Sequence, residues 1–250
     1  MEERTRLERQ IRRRRRSRRG RVIQVIVAAI ILVFGFSIFF RVGQIEITGE
    51  SRYTHDEIIA AAQLEHGRQL FLLDLEEIER GIWTSLPHAG EVEVRRRFPN
   101  RVEIVVEDTS AIAAIAVEQS YLIIDQHAKV LARGADRSGL IVLTGLYGPF
   151  LSQVGETLTL GEQDRGKVAY LQELLPLLRG NGLTERVQSI DMNRVENPQM
   201  YYGGRLTIQL GSSRALDHNM QMLVGILHEL EEFEQGMIDL NPERPIFRPD

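Results

Sequence analysis

The side chains that offer acid, base or metal-ligand chemistry are six histidines and several runs of carboxylates. His218 and His228 fall ten residues apart on one amphipathic stretch, whereas a helical metal pair is usually spaced i, i+4. His55-Asp56 stands at a helix start, where an aspartate serves the helix dipole. Glu229 to Glu234 reads as a solvated face, with a basic partner as the alternative. There is no G-x-S-x-G, H-E-x-x-H, Walker A or G-x-G-x-x-G sequence. The absence of cysteine excludes disulfides, thiolate zinc sites and cysteine nucleophiles. The expectation is a chain that binds rather than turns over: no catalytic residues, no metal, no cofactor and no small-molecule substrate.

A binding surface needs elements to carry it. Gln44 to Thr48 alternates, with Ile45 and Ile47 on one face, and stops at Gly49, which predicts a short strand and a turn. Thr54 and Glu57 form a T-x-x-E capping box ahead of Ile58, Ile59, Ala61 and Ala62, predicting a first helix that ends near Gly67. Asp74 caps a second helix with Leu75, Ile78, Ile82 and Trp83 on one face, stopped by Pro87. Two alternating strands follow, Glu91 to Arg95 and Arg101 to Glu107, joined by a tight turn at Phe98-Pro99-Asn100. The order β-α-α-β-β over residues 44–109 predicts two helices on one face of a three-stranded sheet.

Residues 110–240 read as a mixed, β-rich α+β domain. A hairpin runs from Tyr121–Asp125 through Gln126-His127-Ala128 to Lys129–Leu131, and Leu140–Gly145 is a buried strand. A helix is predicted from Gly166 to Arg179, kinked at Pro176. Strands follow at Val187–Met192 and Arg205–Gly211. An amphipathic helix is expected from Ala215 to Glu234, with Leu216, Met220, Leu223, Leu227 and Leu230 facing inward. The last strand is Met237-Ile238-Asp239-Leu240. Residues 241–250 read either as a tail or as an extension of that edge at Ile246-Phe247, against which Pro242, Pro245 and Pro249 count.

Charge is divided unevenly. Residues 1–21 hold eleven Arg and three Glu, a net +8, leaving 20 basic against 32 acidic side chains in the remainder, a net −12. Val22 to Phe40 is an uncharged run of nineteen residues, roughly 28 Å as a helix against a ~30 Å hydrocarbon layer. It is read as an uncleaved single transmembrane helix. A cleaved signal peptide competes weakly, because Gly35 and Ser37 have small-x-small spacing but lie inside the apolar run; a buried core helix rarely follows an arginine run. Arg12, Arg13, Arg14, Arg15, Arg16, Arg18, Arg19 and Arg21 place the N-terminal tail in the cytoplasm by the positive-inside rule. That run has no aromatic residues for base stacking. It reads as a topology signal that attracts anionic membrane lipid, with no nucleic-acid partner.

Ile45-Glu46-Ile47-Thr48-Gly49, Gly67 with Leu70-Phe71-Leu72-Leu73-Asp74, and Val92 to Ile104 through Phe98-Pro99-Asn100, closing at Val105-Val106-Glu107-Asp108, resemble a POTRA domain. Tyr121–Asp125, Leu143-Thr144-Gly145, Gly204–Gly211 and Ile238-Asp239-Leu240 resemble the β domain that follows it in the FtsQ/DivIB family of bacterial division proteins. In two places the chain departs from that pattern: Ala128-Lys129-Val130 stands for a usual Gly-x-Val, and Asn241-Pro242 follows Asp239-Leu240.

The resemblance implies a non-enzymatic, single-pass scaffold of the inner (plasma) membrane at the division septum, with its C-terminal domains outside the cytoplasm. It implies FtsB- and FtsL- (DivIC-) like single-span partners and other divisome membrane proteins. The POTRA part and the span would help recruitment, and the far end of the β domain would bind the FtsB-like coil. Sheet edges accept partner strands, so the candidate contact residues are Met237, Ile238, Asp239, Leu240, Ile246 and Phe247. The runner-up is a POTRA-bearing transport or outer-membrane assembly component, which would carry tandem units and a β-barrel. A cell-wall hydrolase or synthase comes third.

Overall fold

The computed structural model describes residues 23–31, 35, 39–231, 233–241 and 245–249. The arginine topology signal lies outside them, as does part of the apolar run. Residues 23–31 are helical, and their large apolar side chains, Ile23 to Ile31, stay exposed. Among the described residues no helix is long and apolar enough to cross a membrane.

The first unit follows the predicted order: β1 (Gln44–Thr48), α1 (His55–Ala62), α2 (Leu75–Ser85), β2 (Ala89–Arg97) and β3 (Arg101–Asp108). The capping box forms, with Thr54 Oγ1 accepting from Glu57 N (3.3 Å) and Glu57 Oε2 accepting from Thr54 N (2.8 Å). Helix α1 ends earlier than expected, at Ala62, because Gln63 turns left-handed (φ 48°) and closes it. Asp74 caps α2 by accepting from Glu77 N (3.1 Å). The strand order is β1-β3-β2, with β1 parallel to β3 and β2 antiparallel to it. Ile58, Ile78 and Ile82 of the helices meet Val94, Val102, Ile104 and Val106 of the sheet in one buried core, each such side chain contributing roughly 1.5–3 kcal/mol by leaving water.

Gly49 ends β1 at φ 104°, and a Cβ there would lie 2.2 Å from Val106 O. Only glycine fits this approach. Gly49→Ala is expected to lower the unfolding free energy by about 2 to 4 kcal/mol, read as the midpoint shift in urea.

The second unit is built on a nine-stranded sheet. Its elements are β4 (Ala113–Val117), β5 (Ser120–Ile124), β6 (Val130–Gly134), β7 (Ile141–Thr144), α3 (Arg165–Gly180), β8 (Val187–Asp191), β9 (Gln199–Tyr202), β10 (Leu206–Gln209), α4 (Leu216–Glu229), β11 (Gly236–Asp239) and β12 (Ile246–Pro249). The order across the sheet is β12-β11-β10-β9-β8-β7-β4-β5-β6. Two parallel crossovers, β7-α3-β8 and β10-α4-β11, step the same way between strands that point the same way. Right-handed crossing therefore places both helices on one face. Leu171, Leu174, Leu175 and Leu178 of α3, with Leu216, Met220 and Leu223 of α4, share a core with Leu143, Ile190, Met200, Ile208 and Ile238.

Several sequence expectations change. Helix α4 stops at Glu229, because the backbone at Leu230 is extended (φ −74°, ψ 136°), so the acidic run leaves the helix at that point. Strands β4 and β9 carry no clear pattern of their own, and of the two readings of the C-terminal stretch the structure has the strand, β12.

The two units are joined tightly. Only Thr109–Ile112 separate β3 from β4, and that link is bonded on both sides, Thr109 N to His88 O (2.8 Å) and Ile112 N to Ile124 O (2.9 Å). Lys129, fully buried in the turn between β5 and β6, reaches back to the end of α2. Its Nζ donates to Leu86 O (3.0 Å) and Ala89 O (2.8 Å) and lies 4.2 Å from the centroid of the Trp83 ring, a helix C-terminus combined with a cation–π contact. Gly155 (φ 93°) packs on the same helix, where an added Cβ would lie 2.1 Å from Thr84 O.

Candidate protein-interaction edge

A short sheet element binds through whatever backbone its neighbours leave unpaired. In the first unit, Glu79 covers the outer side of β2 by accepting from Val94 N (2.7 Å), while β1 is an edge that presents Gln44, Glu46 and Thr48 to solvent. In the second unit, the β6 edge is covered at its start: Val130 N donates to Glu156 O (2.9 Å), Gly155 N to Val130 O (2.8 Å) and Leu158 N to Ala128 O (2.7 Å). At the opposite end β12 is the last strand, and no described strand pairs with its outer side.

The sequence-predicted residues come together at that end. Strand β11 is parallel to β10 and antiparallel to β12, so Ile238 faces Phe247 and Asp239 faces Ile246. Met237–Asp239 are therefore paired on both sides, and the open edge belongs to Ile246, Phe247 and Arg248. Ile238 and Leu240 are buried and Phe247 packs onto the same core, whereas Ile246 is 42% exposed. Asp239 Oδ1 accepts from Asn241 N and Asn241 Nδ2 (both 3.0 Å), starting the turn toward β12. The Arg205 guanidinium donates to Glu234 O and ties the approach of β11 to β10. Pro245 and Pro249 bracket β12 and lack donors, so the edge suits a short partner strand.

Gly236 lets β12 come this close. Its φ is 151°, and a Cβ there would lie 2.2 Å from Arg248 O. Tyr201 on β9, 42% exposed, lies on the open face of the sheet and carried no sequence signal.

The POTRA-like signature residues also find places. Gly49 closes β1, Gly67 is left-handed (φ 86°) in the loop after α1, and Phe98-Pro99-Asn100 turns β2 into β3. Asn100 O accepts from Gly43 N (2.8 Å) and Gln44 N (3.2 Å). His218 and His228 are exposed on α4. Among the described residues no three His, Cys, Asp or Glu side chains gather to hold a metal ion.

Among the described residues two lysines are buried, each beside an aspartate. Burial pushes Lys129 down to about 8, against a smaller raising effect from Asp125. Lys167 pairs with Asp164 (2.7 Å) and donates to Gly145 O (2.6 Å). Burial raises Asp164, but the Lys167 bond and the Tyr147 amide outweigh it and hold its carboxyl below the ordinary value.

Comparison with known proteins bears first on the POTRA-like unit. The family described as "POTRA domain, FtsQ-type" matches residues 40–108. The cell division protein DivIB of Clostridium botulinum (strain Hall) is 22% identical over 238 residues, 94% of this chain and 92% of that one. The DivIB of Clostridium tetani is 22% identical over 208 residues, covering 81% and 77%. The cell division protein FtsQ of Myxococcus fulvus is 30% identical over 109 residues, covering 43% and 38%. The first unit is thus a POTRA domain of the FtsQ type, followed by a mixed-sheet β-rich domain. Over most of its length the chain is similar to DivIB and, over shorter stretches, to FtsQ cell division proteins.

Proposed function

We propose that this protein is a non-catalytic, single-pass scaffold of the division machinery that captures an FtsB-like partner by strand addition at β12. Residues 1–21 form the cytoplasmic tail, 22–40 the span, 44–109 the exported POTRA domain and 110–240 the β domain, with 241–250 adding the edge strand. The anchor is supported by the charge asymmetry and by the exposed apolar side chains of residues 23–31. The observation that carries the binding reading is the contrast between the two ends of the large sheet: β6 is covered by its own chain and β12 is open. An FtsL-like protein and other septal membrane proteins would join through the same assembly.

The test is co-purification of the full chain with an FtsB-like protein from membranes, beside a truncation after Leu240. The truncation removes β12 while leaving Ile238 and Leu240 in the core, and it is expected to lose at least roughly tenfold in affinity, the scale of one well-placed contact group. Undiminished capture by a shorter chain ending at Met237 would exclude this end of the sheet as the main contact.

A further inference from the structure

The apolar run enters the POTRA domain without slack. Phe40 O accepts from Leu70 N (2.9 Å), Val42 N donates to Arg68 O (2.9 Å), and Val42 O accepts from Gly67 N (2.8 Å). On the other side Gly43 N and Gln44 N are held by Asn100 O. The exit of the run is clamped between the 67–72 loop and the 98–100 turn, with Val42 buried beneath it.

Four aromatic rings gather at this clamp. Centroids lie 5.4 Å apart for Phe39–Phe40, 5.0 Å for Phe40–Phe71 and 5.3 Å for Phe71–Phe98. The rings touch one another and yet stay wet: Phe39, Phe71 and Phe98 are 62%, 55% and 60% exposed, and neighbouring Leu72 is 82% exposed. A single exposed leucine is ordinary, but a contiguous apolar face marks a contact.

We propose that Phe39, Phe40, Phe71, Leu72 and Phe98 form a membrane-interface patch that seats the POTRA domain on the outer face of the bilayer. The inference rests on the anchored topology above. The patch begins with the last two residues of the apolar run and continues onto loop residues fixed beside it by backbone hydrogen bonds. No free linker carries that face away from the lipid. Exposed Arg41 directly follows Phe40 at the edge of the patch, whereas Arg68 lines the groove between α1 and α2 and the far side of Phe71 and Leu72 borders Asp74, Glu76 and Glu79. Apolar side chains dipping into the headgroup layer with an arginine at phosphate level is the arrangement of interfacial elements. Arg96 is not part of that edge, because its guanidinium turns inward to Leu70 O and Leu73 O.

The chain has no cysteine, so single labels are clean. The full chain, alone in nanodiscs of phosphatidylethanolamine and phosphatidylglycerol, carries an environment-sensitive dye at Ile30→Cys, Leu72→Cys or Asp217→Cys. The expected result is blue-shifted emission at positions 30 and 72 and a water-like spectrum at 217. Nitroxide lipid should quench position 72 at least roughly threefold more than 217, as for a group within ~5–10 Å of the acyl boundary. A lipid-buried label at 30 with a water-like label at 72 overturns the seating and leaves the anchor standing. Water-like spectra at both overturn the anchor as well. Emission at 72 that shifts only after an FtsB-like protein is added overturns the lipid assignment and gives the patch to that protein.

Discussion

Lys129→Met is expected to lower the stability of the joined domains by about 2 kcal/mol at pH 7 and to let them melt in separate steps. Methionine keeps the length of the side chain but removes the two hydrogen bonds that Leu86 O and Ala89 O receive. A carbonyl left unsatisfied in a buried place costs about 1–3 kcal/mol. Relief from desolvating the ammonium offsets part of that loss, which is why the net estimate stays near the lower end. Lys129→Arg should not rescue the joint, since a planar guanidinium does not fit where a compact ammonium sits against the Trp83 ring.

The same residue predicts a pH signature. Burial brings its folded value down to about 8 from 10.5, so between those values the unfolded chain binds a proton that the folded chain has released. Linkage then makes the wild type gain stability relative to Lys129→Met as pH rises from about 8 to 10.5. The gain is complete above 10.5 and is lost as pH falls through about 8. Urea unfolding of both proteins across that window measures it, and parallel curves would refute the assignment.

On the function proposed above, Gly236→Ala should weaken partner capture while sparing the rest of the fold. The added methyl would meet Arg248 O at 2.2 Å and Pro249 Cα at 2.9 Å, both backbone atoms of β12 that cannot rotate away. The cheapest escape is for β12 to leave the sheet, since it is four residues long and lies at the end. Unfolding of the remaining core should change by about 1 to 2 kcal/mol, the scale of losing the partly buried Phe247 from the core. Affinity for the FtsB-like partner should fall at least roughly tenfold. Calorimetric titration beside a thermal melt separates the two effects. Full affinity with β12 displaced would show that the edge strand is dispensable.

The POTRA half was legible because each of its elements carries a local cause. Thr54 with Glu57, Asp74, and the Phe98-Pro99-Asn100 turn mark boundaries within a few residues of the hydrogen bonds they make. In the second half β4 and β9 were missed. Ala113–Val117 and Gln199–Tyr202 have weak strand character of their own, and each is held by a neighbour on both sides, β5 and β7 for one, β8 and β10 for the other. Pairing decided them, not propensity. Helix α4 was overextended because glutamates favour helix, while the chain must turn at Leu230 in time to lay β11 along β10. The candidate edge was half legible: Met237–Leu240 and Ile246-Phe247 do meet, but which of the two strands is outermost is set by pairing with β10, a contact between residues some 30 apart in sequence. Lys129 gave no signal, because its partners lie 40 and 43 residues away. Phe98 was read as a turn and POTRA-signature residue, and its ring contacts gave no signal because Phe40 and Phe71 are distant in sequence.

The chain has 29 arginines and only two lysines, and both ε-amines are tucked inside, Lys129 at the joint and Lys167 beneath the start of α3. An acylating reagent that attacks free amines will find neither while the protein is closed. Modification at position 129 will clock separation of the two halves, and modification at 167 will clock opening of the larger one. Mass spectrometry can follow the two events independently in a single sample, with no engineered probe.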